Sequence, residues 1–176
     1  MKIEIRKLQK RDNRKEFCSG DIEIDRFFIK FAGQNQFKHK IGNSYVAIES
    51  GSEKILGYAT ISASSLKIDS LEISEFKRFP NYPLPILRIA RLGVDKRVQS
   101  QGIGRKLLQR VLYLAIEVEE LVGCVGIFVD AKEDAVAFYQ KYDFEIVPVI
   151  DGELGVKPTQ TMMYLSMRTI HKFLQK

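Results

Sequence analysis

A glycine-containing loop between an apolar strand and a long amphipathic helix constrains the fold of this chain more than any other feature. It reads VDKRVQSQGIGRKLL and runs from Val94 to Leu108. At such a position the free N–H groups of the first helical turn and the helix dipole form an anion site. Gly102 and Gly104 have no Cβ atom, so a bulky diphosphate can approach the backbone closely. The pattern indicates a phosphate-binding loop, although glycines that only form a turn would give the same letters.

Two common nucleotide-binding loops fit this segment poorly. A P-loop requires GxxxxGK followed by Ser or Thr, and the sequence has no such run. A dinucleotide fingerprint would find its ribose-binding acid at Asp130, but Leu107 stands at the third glycine position. The connection from Val94 to Gly102 is also too long for a tight strand–helix turn. We therefore set both interpretations aside.

The order of the predicted elements favours a mixed sheet with helices packed on it. The segment KIEIRKL alternates as a strand. A helix capped by Ser19 follows, with Ile24, Phe27, Phe28 and Phe31 on its apolar side. The later elements are a hairpin of NSYVAIE and ILGYATISASSLKI, the strand ILRIARLGV, the long helix, the strand CVGIFV, the helix EDAVAFYQKY, the strand FEIVPVI, the turn-rich loop DGELGVKPTQ and the strand TMMYLSM.

Length and residue types bound the remaining possibilities. The 176 residues suit one domain with a core of ordinary size. Cys18 and Cys124 have no CxxC spacing, and His39 and His171 are isolated, so we predict no metal site. The N-terminal stretch lacks an apolar region, and no apolar run approaches the ~18 residues of a membrane span. We expect a soluble, cytoplasmic protein.

Two segments carry a resemblance to a known family. The stretch QSQGIG fits the signature Q/R-x-x-G-x-G/A, and RIARLGVDKRVQSQGIGRKLL around it resembles the coenzyme A diphosphate loop of the GNAT acetyltransferases. The stretch IFVDAKEDAVAFYQKYDFEIV resembles the family's next strand, its short helix with an aromatic pair, and its closing strand. The resemblance implies an α+β GNAT fold, with a mixed, mostly antiparallel sheet, splayed central strands and helices on both faces. It further implies a single N-acetyltransferase domain over residues 1–176.

The same resemblance implies direct transfer of acetyl from acetyl-CoA to a primary amine. The pantetheine would pair with strand backbone at Leu92, Gly93 and Val94, and the Leu92 N–H would stabilise the oxyanion. Tyr139 would protonate the leaving thiolate and is preferred over Tyr142, although spacing alone makes it a core aromatic. The other expected cofactor-binding residues are Gln99, Ser100, Gln101, Gly102, Ile103, Gly104, Arg105, Ala131 and Phe138.

Two details of the site follow from individual residues. Asp143 stands where glycine is usual in this family, so we expect it to take the left-handed conformation, which Asp tolerates better than most residues. A general base is not selected by spacing. The candidates are Glu49, Glu53, Glu72 and Glu75.

A finer resemblance bears on the acceptor. The stretch EFCSGDIEIDRFFIKFAGQNQ is similar to the pattern F-x-C/S-G…LD-x-F/Y-L…A-x-Q of GNAT toxins from bacterial toxin–antitoxin pairs, and GYATIS and PILRIARLGVD are similar to their strands. This implies acetylation of the α-amino group of aminoacyl-tRNA, with a small ribbon-helix-helix antitoxin and a second copy of the chain as partners.

The charge of the chain agrees with a polyanionic acceptor. The net charge is +6, and a basic excess attracts polyanions such as tRNA, for which Lys38, Arg88 and Arg91 are the expected contacts. Two other possibilities stay open. One is an acetyltransferase for a small-molecule or protein amine, and the other is an inactive module that only binds coenzyme A.

Overall fold

The computed structural model describes residues 2–70, 73–148 and 160–175. The strands are β1 (Ile3–Lys7), β2 (Asn43–Glu49), β3 (Ile55–Leu66), β4 (Leu84–Val94), β5 (Gly126–Lys132), β6 (Glu145–Ile146) and β7 (Gln160–Ser166). The α-helices are α1 (Ile22–Arg26), α2 (Ile103–Val122), α3 (Val136–Gln140) and α4 (Met167–Leu174). Two π-helical segments follow α1, at Phe27–Ala32 and Gln34–His39.

The strands belong to one sheet in the order β1-β2-β3-β4-β5-β7-β6. The pairs β1 with β2, β2 with β3, β5 with β7 and β6 with β7 are antiparallel. In the β5–β7 pair, Gly126 lies opposite Ser166 and Lys132 lies opposite Gln160. This sheet, with its helices, confirms the predicted α+β class.

The chain divides into two compact units. The first comprises Met1–Ser62 and Ile89–Leu114, and the second comprises Ala63–Arg88 and Ala115–Lys176. Both units therefore contain parts of β3, β4 and α2. A single domain over residues 1–176 stays a prediction.

Stacked aromatic rings form the core of the first unit. The ring centroids of Phe28 and Tyr58 are 4.1 Å apart, and both side chains are fully buried. The Tyr58 hydroxyl donates to the carbonyl of Ile24 at 2.8 Å, which joins β3 to α1. Burial raises the pKa of Tyr58, so the hydroxyl remains a donor at neutral pH. The buried cluster consists of Leu8, Phe17, Phe28, Ala32, Val46, Ile48, Ile55 and Tyr58.

A second aromatic cluster forms the core of the second unit. The ring centroids of Phe128 and Tyr164 lie 4.6 Å apart, and Phe76 lies 5.1 Å from Tyr164. The Tyr164 hydroxyl donates to the Val125 carbonyl at 2.9 Å, so its polar end is satisfied. The buried residues of this cluster are Leu66, Phe76, Leu84, Ile86, Phe128, Val147, Met162 and Tyr164.

The helix after β1 starts differently from the prediction. Its cap is Asp21, whose side chain accepts hydrogen bonds from the N–H groups of Glu23 and Ile24. The predicted Ser19 cap was wrong because the Ser19 hydroxyl donates to Asp25 at 2.6 Å. Asp and Ser are both good cap residues, so the sequence pattern alone did not separate them.

The continuation of this helix is also wound differently. After α1 the backbone follows π-helical i→i+5 bonding through Ala32 and again from Gln34 to His39. This winding moves successive residues to other faces than an α-helix would. Phe28 is buried as expected, whereas Phe31, predicted on the apolar side, is 39% exposed.

The helix α4, which follows β7, was not predicted from the sequence. The last strand stops at Ser166, whose hydroxyl caps α4 by accepting the N–H of Thr169 at 3.1 Å. The predicted strand FEIVPVI is a strand only at Glu145–Ile146 within its described part. Residues 149–150 of that segment and residues 151–159 of the predicted turn-rich loop lie outside the described residues. In the described part of the chain, every helix is too short or too polar to span a bilayer.

Candidate active site

The predicted phosphate loop enters α2 through two left-handed residues. The φ angle is +62° at Ser100 and +81° at Gly102. A Cβ on Gly102 would meet nothing within 4 Å, so its backbone conformation and not a lack of space favours glycine there. Gln99, Ser100, Gln101 and Gly102 are exposed and lie directly before the first N–H groups of the helix. This geometry is consistent with the predicted backbone site for a diphosphate.

The end of β4 lies directly under α1. A Cβ on Gly93 would come within 2.5 Å of Ile24 Cγ2 and 3.1 Å of Tyr58 Cε1, so only glycine fits this close approach. Leu92 and Val94, on either side of it, are half-buried. The packing of α1 thus fixes Gly93, the middle one of the three strand residues that were predicted to pair with the pantetheine.

A buried carboxylate follows this strand. Asp95 is 1% exposed and accepts two hydrogen bonds from the Arg97 guanidinium, at 2.7 Å to each carboxylate oxygen. Arg97, together with the N–H of Cys18, holds the pKa of Asp95 below its ordinary value. The positive charge of Arg97 is therefore paired with the Asp95 carboxylate. Asp95 was not predicted, although an Asp at a strand end is a turn signal because its side chain can accept the backbone N–H two residues on.

The predicted proton donor lies in an aromatic cluster of the second unit. The Tyr139 ring is 4% exposed and packs edge-on against Phe138 and Phe144, with centroids 5.1 and 5.2 Å away. Burial raises the pKa of Tyr139 above its ordinary value. A tyrosine with an ordinary pKa near ~10 is already protonated at neutral pH, so the phenol holds the proton that a general acid requires. In the same unit, Ala131 is buried on β5, and Phe138 is half-buried.

The turn after α3 has the backbone that the sequence predicted. Asp143 has a φ of +60° and donates its N–H to the Gln140 carbonyl at 3.0 Å. The next N–H, from Phe144, bonds the Tyr139 carbonyl at 3.2 Å. The left-handed residue therefore ends α3 and turns Phe144 back onto the Tyr139 ring.

The three predicted tRNA contacts have different surroundings. Arg88 forms an ion pair with Asp130 at 2.5 Å. The Asp130 carboxylate, which was considered as a ribose ligand, therefore binds an arginine side chain. The other Asp130 oxygen is buried and has no hydrogen-bond partner in the described part of the chain. In the first unit, the Arg91 guanidinium lies over the Phe27 ring, 5.2 Å from its centroid. Lys38 is exposed in the last turn of the second π-helical segment.

The candidates for a general base lie in different surroundings. Glu49 and Glu53 are exposed, and Glu75 pairs with Arg78 at 2.9 Å. Glu72 lies outside the described residues. Within residues 2–70, 73–148 and 160–175, no three His, Cys, Asp or Glu side chains cluster in a way that could hold a metal ion.

Comparison with known proteins tests the family resemblance. The model of the acetyltransferase (GNAT) domain matches residues 40–146. The chain belongs to the GNAT acetyltransferase family. As a GNAT acetyltransferase it is similar to a tRNA-acetylating toxin of Mycobacterium tuberculosis, with 28% identity over 144 residues that cover 81% of this chain and 84% of the relative.

Solved structures support the same GNAT fold. The crystal structure of a KacT variant with one Tyr-to-Phe change matches with a TM-score of 0.85 and 22% identity, over 98% of this chain and 99% of that one. AtaT complexed with acetyl-methionyl-tRNAfMet matches with a TM-score of 0.82 and 23% identity, again over 98% and 99%. The likeness extends over almost the whole chain, beyond the segment that the family model matches.

Proposed function

We propose that this acetyltransferase moves the acetyl group of acetyl-CoA to the α-amino group of an aminoacyl-tRNA and so blocks translation as a toxin. The observation that carries the proposal is the 28% identity with a tRNA-acetylating toxin over 81% of the chain. Matches to KacT and AtaT over 98% of the chain support it.

The residues of the chain suit each chemical requirement of this transfer. The first N–H groups of α2 and the loop residues before it would hold the diphosphate. The N–H of Leu92 would stabilise the negative charge that develops on the thioester oxygen. Tyr139 would give its proton to the departing thiolate. Ala131 and Phe138 are the remaining residues that the family resemblance assigns to the acetyl donor.

Charge and amine chemistry both favour aminoacyl-tRNA as the acceptor. The chain carries a net charge of +6, and basic proteins attract RNA through counterion release. An α-amine titrates near ~8, whereas a lysine amine titrates near ~10.4, so far more of the α-amine is nucleophilic at neutral pH. An enzyme that acts on such an amine tolerates a weak general base, and no candidate stands out among the described residues.

The proposal includes the partners that such a toxin needs. The AtaT toxin has been solved bound to the C-terminus of its antitoxin AtaR, and KacTA has been solved with DNA. We propose an antitoxin of the ribbon-helix-helix class for this chain, a homodimer as its assembly, and the cytoplasm, where aminoacyl-tRNA is found, as its location.

The test is an acetylation assay with purified chain and labelled acetyl-CoA. Charged tRNA is the acceptor, and the same tRNA after mild-base deacylation is the matched control because it lacks only the amine. We expect label on charged tRNA alone, released as an N-acetyl amino acid. Label on small amines or peptides, with none on charged tRNA, would refute the tRNA acceptor.

A further inference from the structure

The segment before α1 is hydrogen-bonded to the turn that leads into the phosphate loop. The segment comprises residues 16–19, and the turn comprises residues 95–99. The bonds are Lys96 N–H to the Cys18 carbonyl at 2.8 Å, Cys18 N–H to Asp95 Oδ2 at 3.3 Å, and Gln99 Nε2 to the Ser19 carbonyl at 2.9 Å. The two stretches are almost eighty residues apart in sequence, with Gln99 and Ser19 separated by 80 positions.

Asp95 is the centre of this contact. Besides the Arg97 guanidinium and the Cys18 N–H, its carboxylate accepts the backbone N–H of Arg97 at 3.1 Å. Its own N–H donates to the Leu56 carbonyl on β3 at 2.9 Å. A buried carboxylate with this many donors is fixed in place, and it fixes the backbone that donates to it.

The side chain of Gln99, the first residue of the glycine signature, donates its hydrogen bonds to other residues of the chain. Its Nε2 atom donates to the Ser19 carbonyl at 2.9 Å and to the Val94 carbonyl at 3.1 Å. A glutamine amide has two N–H donors, and both are occupied here. The side chain therefore has no donor left for a phosphate oxygen, and only its backbone can bind one.

The segment at residues 16–19 is itself held by the core. Phe17 is 4% exposed, and its ring lies 5.0 Å from that of Phe28 and 5.4 Å from that of Tyr58. The hydrogen bonds of this segment therefore hold the exposed loop in a fixed position relative to the packed core. Such rigid support lowers the ordering cost that the loop would otherwise meet on binding a ligand.

We infer that Gln99 and Asp95 are positioning residues, which hold residues 99–105 in their ligand-binding conformation although neither side chain contacts the acetyl donor. The inference rests on the acetyl-CoA site of the proposed function but not on tRNA as the acceptor. The affinity for acetyl-CoA should then depend on contacts that lie on the side of the loop facing α1.

The experiment measures the dissociation constant of acetyl-CoA by calorimetry, and kcat and KM with charged tRNA as the acceptor. The variants are Gln99→Leu, which keeps the size of the side chain, and Asp95→Asn. We expect each to weaken acetyl-CoA binding about tenfold, which corresponds to one or two lost hydrogen bonds. KM for acetyl-CoA should rise equally, with kcat at saturation unchanged, because the reacting groups are untouched.

The first unit offers a matched control in Asp12. Its carboxylate accepts two hydrogen bonds from Arg6, at 2.7 and 2.8 Å, and one from the N–H of Gln9. Its side chain is 4% exposed, against 1% for Asp95. Asp12→Asn should therefore lower stability as Asp95→Asn does, while acetyl-CoA affinity stays at the wild-type value.

Wild-type affinity in Gln99→Leu, or equal weakening in Asp12→Asn and Asp95→Asn, would overturn the inference. Should Asp95→Asn fail to fold, Gln99→Leu decides the matter alone, since the Gln99 side chain is exposed. A wild-type chain that does not bind acetyl-CoA would refute both the inference and the proposed function, whereas a chain that binds it but spares tRNA would refute only the latter.

Discussion

At the scale of single residues, the hydroxyl of Tyr139 carries the sharpest prediction. Tyr139→Phe keeps the ring contacts with Phe138 and Phe144 and removes only the proton donor. We expect kcat to fall about 10²-fold or more, the range for loss of a general acid, with acetyl-CoA affinity unchanged. Steady-state acetylation kinetics measure the first effect and calorimetry the second.

Tyr142→Phe is the matched control for that change. Tyr142 belongs to the same turn, and its ring also packs on Phe138, 5.2 Å away, but it is not the predicted donor. Its loss of hydroxyl should leave kcat within about twofold, a small change on the scale of acid catalysis. Equal losses in the two variants would show that the aromatic cluster, and not one phenol, matters for the rate.

At the scale of elements, Gln36 joins the second π-helical segment to two strands. Its Nε2 donates to the Leu8 carbonyl after β1 at 2.7 Å, and its Oε1 accepts the Ser44 N–H of β2 at 2.8 Å. Gln36→Ala would leave both buried backbone groups without partners, at a cost of about 2 kcal/mol or more. Denaturant unfolding measures this loss.

The neighbouring Gln34→Ala provides the comparison. Gln34 lies in the same segment and is exposed, so its removal should change the free energy of unfolding by no more than about 0.5 kcal/mol. A similar loss in both variants would mean that the segment tolerates no substitution, and would contradict the specific role of the Gln36 amide.

Elements also show which parts of the fold could be predicted from sequence. The long helix α2 was predicted as amphipathic because its apolar residues repeat at the α-helical period. Of the residues expected on its buried side, Leu107, Leu108, Val111, Leu112 and Ala115 are buried and Val118 is half-buried. The left-handed Asp143 was predicted from a family glycine. The π-helical winding after α1 was not, because no residue pattern distinguishes i→i+5 from i→i+4 bonding at that length.

The candidate site divides in the same way. The loop at residues 99–105 could be predicted because its glycines are a local signal. Asp95 could not, since its role depends on Cys18 and Leu56, which are distant in sequence and become neighbours only in the fold. The pairing of Arg88 with Asp130, 42 positions apart, escaped prediction for the same reason.

At the scale of the whole molecule, two buried carboxylates make the free energy of unfolding depend on pH in the acidic range. Hydrogen bonds from Arg97 lower the pKa of Asp95. Burial works to raise the pKa of Asp12, but hydrogen bonds from Arg6 and the Gln9 N–H outweigh it and lower that pKa. Because both folded-state values lie below the ordinary ~3.9, the stabilisation is complete above that pH and disappears as the pH falls through the folded values.

We therefore expect the free energy of unfolding to decline from about pH 5 downwards, with a shallower decline in Asp12→Asn and in Asp95→Asn. Urea unfolding at a series of pH values measures the slopes. Parallel slopes in the wild type and both variants would mean that other carboxylates control acid unfolding.

The basic excess of the molecule leads to a prediction about salt. The chain has 28 Lys and Arg against 22 Asp and Glu, and a polyanion that binds it releases counterions from its phosphates. The affinity for tRNA should fall steeply with salt, with the logarithmic slope reduced by about 0.7 to 0.9 for each phosphate contact removed. Lys38→Gln should show that reduction.

Lys172→Gln is the control for this measurement. Lys172, like Lys38, is an exposed lysine in the last turn of a helical segment, but it was not predicted to contact tRNA. Both changes remove one positive charge, so a general effect of net charge would alter the two slopes equally. A smaller slope in Lys38→Gln alone would place a phosphate near the second π-helical segment. Equal slopes in the two variants would mean that Lys38 is a solvated surface lysine that does not contact tRNA.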